Sequence, residues 1–260
     1  MNFECIHIEA RDLPDAWFQT VYSVLDKGKR FTIDRGSYAS KERLEFDYIT
    51  IQIKHPSVRP LLPEIPPQYG VPNPVDSKYL DQYLPYLMTG YIGHGEAYTY
   101  GQRLTRFPIP FLLENREIVL TEIDELKKLN IIFFDKEFQC LCLNQIELLI
   151  WTYKNKGQRN NQMTMQIAHP SDMLFQDPPC LRSIDTRLQF GELHFIVYFR
   201  SWDLWNGFPA NLAAIQLLKE YIGSCIEVGD GEIIASSKGL HLYDHCFEIA
   251  RCIRSGKQTT

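Results

Sequence analysis

A chain of 260 residues, 45% hydrophobic and 23% charged, is long enough to bury one substantial core and has the composition of a single globular domain. Its net charge of −5 excludes the broad basic surface that long nucleic-acid partners require, yet leaves room for a small anionic ligand held by a few arginines. No apolar run approaches the ~18 residues of a membrane span. No basic leader opens the chain, and the seven cysteines, odd in number and without CxxC spacing, point to reduced thiols in a cytoplasmic protein.

In chain order, residues 2–9 read as a strand and Leu13–Lys27 as a helix, with Pro14 in its first turn and Trp17, Val21, Val24 and Leu25 on its apolar face. The basic stretch KGKRFTIDRGSY reads as a loop whose Arg35 and Gly36 suit an anion, and equally as a solvated hairpin. Ile49, Ile51 and Ile53 alternate with polar residues, so ITIQIK is a strand. The proline-rich run His55–Pro74 excludes a regular helix or central strand. TEIDELKKLN suggests a short helix and IIFF a short strand. Asn144–Lys156 is an amphipathic helix stopped by Gly157, with Ile146, Leu149, Ile150 and Tyr153 on one face. Cys140 and Cys142 lack a neighbouring His, so no metal site is expected.

The richest stretch is 176–211. Glu192–Phe199 alternates Leu193, Phe195, Val197 and Phe199 against His194, Ile196 and Tyr198, the period-two pattern of a strand with two fairly apolar faces. Cys180, Arg200, Ser201, Asp203 and Asn211 gather around that strand and the helix that follows it. That helix, Ala210–Ile226, carries a core stripe of Leu212, Ile215, Leu218 and Ile222. GDG at Gly229–Gly231 then reads as a turn and GEIIASS as a strand.

PPC at Pro178–Cys180, FRSWD at Phe199–Asp203, GFPAN at Gly207–Asn211 and GLHLYDH at Gly239–His245 resemble, in order, the signatures of the thymidylate synthase family. The spacing from Cys180 to Arg200 and from Asp203 to Asn211 matches as well. The flavour is that of the divergent archaeal members and the related pyrimidine-nucleotide hydroxymethylases. The resemblance is strong over about Arg159–Ala250 and thin before it. It implies an α/β (α+β) fold with one large mixed sheet, flanking helices, and sheets packed back to back in a homodimer. Residues 1–260 would form a single domain, with 104–141 a divergent insertion.

The resemblance also implies roles. Cys180 would add as a thiolate to carbon 6 of a pyrimidine, turning carbon 5 into a nucleophile, and nearby cations would favour the thiolate. Arg200 and Ser201, with Arg35 of the loop and Arg159 of the partner subunit, would hold the nucleotide phosphate. Asn211 would read the base, and His241 and Tyr243, at i and i+2 of an extended segment, would bind the sugar hydroxyl. Asp203 would face the pterin of 5,10-methylenetetrahydrofolate or a related methylene-tetrahydropterin. YGQR at Tyr100–Arg103 resembles the family's YGxxWR strand start, whose tyrosine orders active-site water. Glu64 and Glu96 are both candidates for the proton relay.

The expected reaction is one-carbon transfer to carbon 5 of dUMP, giving dTMP. The enzyme alternative is hydroxymethylation of dUMP, dCMP or CMP, and a non-catalytic nucleotide- or RNA-binding relative is the other. Four departures bear on product: Leu181 follows the nucleophile where His is usual, Ala210 replaces Phe, residues 60–104 hold no Trp, and RSGKQTT is not an apolar closing segment. Base choice rests on Asn211. Its amide pairs with uracil in one orientation and with cytosine only when flipped, and the related dCMP hydroxymethylases typically carry Asp at this position, so dUMP is expected to be preferred over dCMP unless neighbouring groups fix the flip.

Overall fold

The computed structural model describes residues 2–34, 41–109 and 122–256. Its centre is a six-stranded mixed sheet. In spatial order it runs β1 (Cys5–Ala10), β4 (Tyr48–Ile53), β12 (Gly229–Ser237), β10 (Glu192–Phe199), β9 (Leu181–Gln189) and β8 (Thr164–Gln166). The outer pair β1 and β4 is parallel, as is β10 with β12, and the remaining pairings are antiparallel. Alternation along each strand gives the sheet one fully buried face. Ile6, Ile8, Ile49, Ile51, Ile53, Leu193, Phe195, Val197, Phe199, Ile233 and Ala235 all point into the core. Each such large side chain stabilises the fold by roughly 1.5–3 kcal/mol. The opposite face carries His194, Ile196 and Tyr198 and is only partly buried.

Three helices build the layer on the buried face. The first, α1 (Leu13–Lys27), has the predicted bounds. Asp12 caps it by accepting from the Asp15 N–H at 2.9 Å, and Pro14 sits where no donor is needed. α5 (Gln145–Asn155) is capped by Asn144 and buries its predicted stripe. The longest, α6 (Gly207–Cys225), packs on β10 and β12 and is buried on nearly every side. Trp17 joins the layers: its indole donates to the Leu204 carbonyl at 2.9 Å, tying α1 to the turn before α6.

A four-stranded sheet lies beside this core, in the order β11 (Trp202–Asp203), β13 (Leu240–Tyr243), β3 (Glu42–Glu45) and β2 (Lys29–Thr32). Part of the stretch expected as a basic loop is therefore strand β2, paired antiparallel with β3. Arg35 lies outside the described residues. The GDG segment, expected as a turn, instead forms the first rungs of β12, because Gly229 and Asp230 pair with Glu192 and Leu193.

Between these parts the chain forms α2 (Ser77–Met88), α3 (Tyr100–Thr105) and a small three-stranded sheet. That sheet runs β5 (Phe107–Pro108), β7 (Cys140–Leu143) and β6 (Ile132–Asp135), with α4 (Ile123–Lys128) against it. Ile109, Leu126, Ile131, Ile132 and Leu141 give this unit its own apolar cluster. No helix among the described residues is long and apolar enough to cross a membrane.

Candidate active site

Cys180 ends a tight loop at the start of β9, a loop held by the Arg200 backbone and by the side chains of Arg200 and Arg182. The Arg200 N–H donates to the Cys180 carbonyl at 2.8 Å, stitching the loop to the end of β10. The Arg200 guanidinium reaches the carbonyls of Pro178 and Pro179, the latter at 3.1 Å, and the Asp177 carboxylate at 3.2 Å. Arg182 donates to the Pro179 carbonyl at 3.2 Å and to Asp172 at 3.1 Å. Asp172 is fully buried and also receives Arg103 of α3 at 2.7 Å. A buried carboxylate between two guanidiniums is satisfied and geometrically restrictive, so it fixes α3 against the cysteine loop.

That restraint places Tyr100. Residues Tyr100–Arg103, expected as a strand start, form the first turn of α3, capped by Thr99 through the Gln102 N–H at 2.9 Å. The Tyr100 hydroxyl accepts from the Leu181 N–H at 3.3 Å, beside the nucleophile. Gly101 permits this: a Cβ there would lie 2.2 Å from the Tyr86 carbonyl and 2.3 Å from that of Thr89. Only a glycine lets α3 meet the end of α2 so closely.

Burial pushes the Cys180 thiol pKa up; Arg200 and Arg182 oppose the shift, and Asp177 and Asp203 reinforce it. The cations expected to lower it are thus present but outweighed by burial. Burial also raises Tyr98, to about 12, with added repulsion from Asp177 and Cys180. The Tyr98 hydroxyl is therefore a neutral donor at ordinary pH.

Next to this loop, α2, α3 and α6 enclose a cavity of roughly 340 Å³ lined by Tyr79, Tyr83, Tyr86, Glu96, Tyr100 and Asn211, among others. Tyr79 and Tyr83 stack at 5.8 Å on α2, and Tyr98 stacks on Phe175 at 6.1 Å. Asn211 projects from the first turns of α6. Its Nδ2 donates to the Tyr83 hydroxyl at 2.8 Å and its Oδ1 accepts from Trp202 Nε1 at 3.1 Å.

His241 and Tyr243 stand on one side of β13 with ring centroids 4.7 Å apart. His241 Nδ1 meets the Gly239 carbonyl at 2.8 Å, which assigns the proton to Nδ1. Its Nε2 is buried without a partner, an acceptor suited to a hydroxyl. Burial lowers the His241 pKa, so the ring is neutral. Asp203 pairs in register with His241 on β11, and its carboxylate accepts from the N–H groups of Trp205, Asn206 and Gly207 at 3.0–3.1 Å. In this structure that carboxylate fastens the start of α6 rather than reaching outward.

A sequence profile described as thymidylate synthase matches residues 89–256, well over half of the chain. The chain belongs to the thymidylate synthase family. Its similarity to a Methanosarcina acetivorans protein named "Putative thymidylate synthase" is 24% identity over 253 residues, covering 96% of this chain and 94% of that one. A Methanococcoides burtonii protein of the same printed name is 25% identical over 255 residues, covering 96% and 95%. A third, from Methanothermobacter thermautotrophicus, is 20% identical over 254 residues, covering 94% and 96%.

Within this thymidylate synthase family member the expected site residues sort by position. Cys180, Tyr100, Asn211 and Glu96 surround or adjoin the aromatic cavity. Ser201 is half-buried in the turn between β10 and β11. Glu96 accepts from the Tyr86 hydroxyl and from the Gly93 N–H at 2.8 Å, whereas Glu64 is exposed on the proline-rich segment and does not line the cavity. Arg159 is exposed and borders a different depression, with Arg187 and Phe190 at the edge of the large sheet. The sequence reading missed α2 and its contacts. Tyr79, Tyr83 and Tyr86, at i, i+4 and i+7, were the available signal for a helix presenting one aromatic face.

Proposed function

We propose that this chain transfers a one-carbon unit from a methylene-tetrahydrofolate-type donor to carbon 5 of dUMP, producing dTMP. The observation that carries this reading is that the Tyr100 hydroxyl and the Asn211 amide line one cavity, with Tyr100 bonded to the residue that follows the restrained Cys180. Thiolate addition at carbon 6 pushes charge onto the ring oxygen at carbon 4. An Asn211 N–H donated to that oxygen stabilises the resulting enolate, and such preorganised donors are worth ~3 kcal/mol. Arg200 and Ser201, with Arg35 and Arg159 of the partner subunit, bind the phosphate and hold the ring over the thiol. His241 accepts a hydrogen bond from the sugar hydroxyl at Nε2, next to Tyr243.

Of the two candidate carboxylates, Glu96 is the better supported as proton relay, since it lines the cavity with Asn211. The tyrosine walls fit a flat pterin, because stacked aromatic rings such as Tyr79 and Tyr83 offer faces for a heteroaromatic ring. When bound, a methylene-tetrahydropterin supplies the one-carbon electrophile. Asp203 supports the site by anchoring the start of α6 and hence Asn211.

Tritium release from 5-tritiated dUMP tests the reading, because loss of the carbon 5 hydrogen requires the thiol adduct. Release that needs Cys180, with a methylated product by mass, is the expected result. A hydroxymethyl product would overturn dTMP formation, and nucleotide binding without any release would overturn catalysis.

A further inference from the structure

The Asn211 amide faces a choice that the sequence leaves open, and a tryptophan makes it. We propose that Trp202 is a specificity-determining positioning residue, whose indole N–H locks the Asn211 amide in the orientation that reads uracil and rejects cytosine. The inference rests on the proposed pyrimidine-nucleotide site.

The two ends of an amide differ in what hydrogen bonds they make. Trp202 Nε1 lies 3.1 Å from Asn211 Oδ1, and an indole N–H only donates. With the amide flipped, an N–H would face an N–H, so the oxygen must point at Trp202. The second partner, the Tyr83 hydroxyl at 2.8 Å from Nδ2, both donates and accepts and would tolerate either orientation. Selection therefore resides in the indole.

The indole cannot move aside. Trp202 is 2% exposed, stacked on Phe199 at 3.9 Å and 6°, and packed against Phe208 at 4.5 Å. Its backbone is fixed in β11 against β13, and Asp203 next to it caps the helix that carries Asn211. Donor and amide are thus held on one rigid corner.

An amide offers two acceptor positions and two donor hydrogens. Trp202 and Tyr83 take one of each, which leaves one acceptor and one donor for a ligand in the cavity that Asn211 lines. A ring joined at carbon 6 to Cys180 cannot slide along that pair. Uracil then presents N3–H to Oδ1 and its O4 to Nδ2–H. Cytosine presents an acceptor to Oδ1 and an amino group to Nδ2–H, two mismatches that only a flip relieves. The flip is what Trp202 forbids.

The test is Trp202→Phe, which keeps the stacked ring and removes the N–H, measured as binding of radiolabelled dUMP and dCMP by equilibrium dialysis. A lost match in a desolvated polar site is worth about tenfold or more. The dUMP:dCMP affinity ratio should accordingly fall about tenfold in Trp202→Phe, by gain of dCMP as well as loss of dUMP. Tyr83→Phe should weaken both nucleotides together and leave the ratio within about threefold, because the hydroxyl does not select. In an Asn211→Asp background Trp202→Phe should leave the ratio unchanged, since a carboxylate has no orientation to lock.

Should the phenylalanine disturb folding, the sulfur isostere benzothienylalanine at position 202 removes the N–H with the ring shape intact. A wild-type ratio retained in either variant, while Asn211→Asp alters it, overturns the role of Trp202 and leaves the pyrimidine-nucleotide reading standing. A wild type that prefers dCMP overturns the role of Trp202 and leaves the pyrimidine-nucleotide reading standing, and one that binds neither nucleotide overturns both.

Discussion

At the residue scale the chemistry turns on how buried Cys180 is. An acid whose pKa is raised releases its proton only at higher pH, and burial raises this one against the pull of Arg200 and Arg182. The thiolate fraction of the free protein should thus grow by about tenfold per pH unit through the neutral range, and with it the rate of attack. Covalent trapping by 5-fluoro-dUMP, followed from pH 6 to pH 8, should rise with that slope and vanish in Cys180→Ser. A flat profile would mean that the two guanidiniums outweigh burial. Loss of trapping from a different cysteine variant would move the nucleophile elsewhere.

At the element scale α6 both supports the site and carries an internal cost. Its buried Lys219 donates to the Gly231 carbonyl and lies 3.3 Å from the Asp230 carboxylate. Burial lowers its pKa to about 8, against 10.5 in water. The folded chain therefore binds that proton less tightly than the unfolded chain does. The cost is present in full below pH 8 and is relieved as pH rises from 8 toward 10.5, by about 3 kcal/mol in all. Denaturant titrations of wild type and Lys219→Met should show a constant stability difference up to pH 8. Above it the wild type should gain on the variant. A difference that stays constant to pH 10 would mean that Lys219 keeps its ordinary affinity for the proton.

At the scale of the whole molecule, the six-stranded sheet has a core on one side and a second face that no helix of the described chain covers. Ile196, 41% exposed at the middle of β10, sits on that face between His194 and Tyr198. A second copy packed back to back is the occupant the family fold implies, and a stable interface of this kind buries roughly 1,600 Å². Ile196→Arg would bury a charge at its centre, so it should convert a dimer to monomers in sedimentation. A variant that sediments as wild type would place the interface elsewhere. Arg159 at the sheet edge bears on the same arrangement: mixing Arg159→Ala with Cys180→Ala should restore part of the activity through mixed dimers with one intact site. No recovery would make Arg159 a same-subunit or structural residue.

Much of this protein is legible in its sequence because the deciding interactions are local. The alternation of Leu193, Phe195, Val197 and Phe199 specifies a strand with one buried face, and the Pro14 and Lys27 ends of α1 follow from capping within a few residues. The motifs around Cys180, Arg200, Asn211 and His241 are legible for a similar reason, since each keeps its reactive group in a short ordered segment. What sequence could not decide depends on groups far apart in the chain. Tyr100–Arg103 is helical because Asp172, some seventy residues on, holds Arg103 and Gly101 admits the end of α2. The Cys180 thiol is raised because the surrounding fold desolvates it, which no count of neighbouring arginines predicts. The orientation of the Asn211 amide, open in the sequence, is set by the Trp202 indole, which the pairing of β11 with distant β13 holds in place. The residues that do chemistry are written in order along the chain, but their protonation and their hydrogen-bonding sense belong to the tertiary structure, because burial and long-range partners set both.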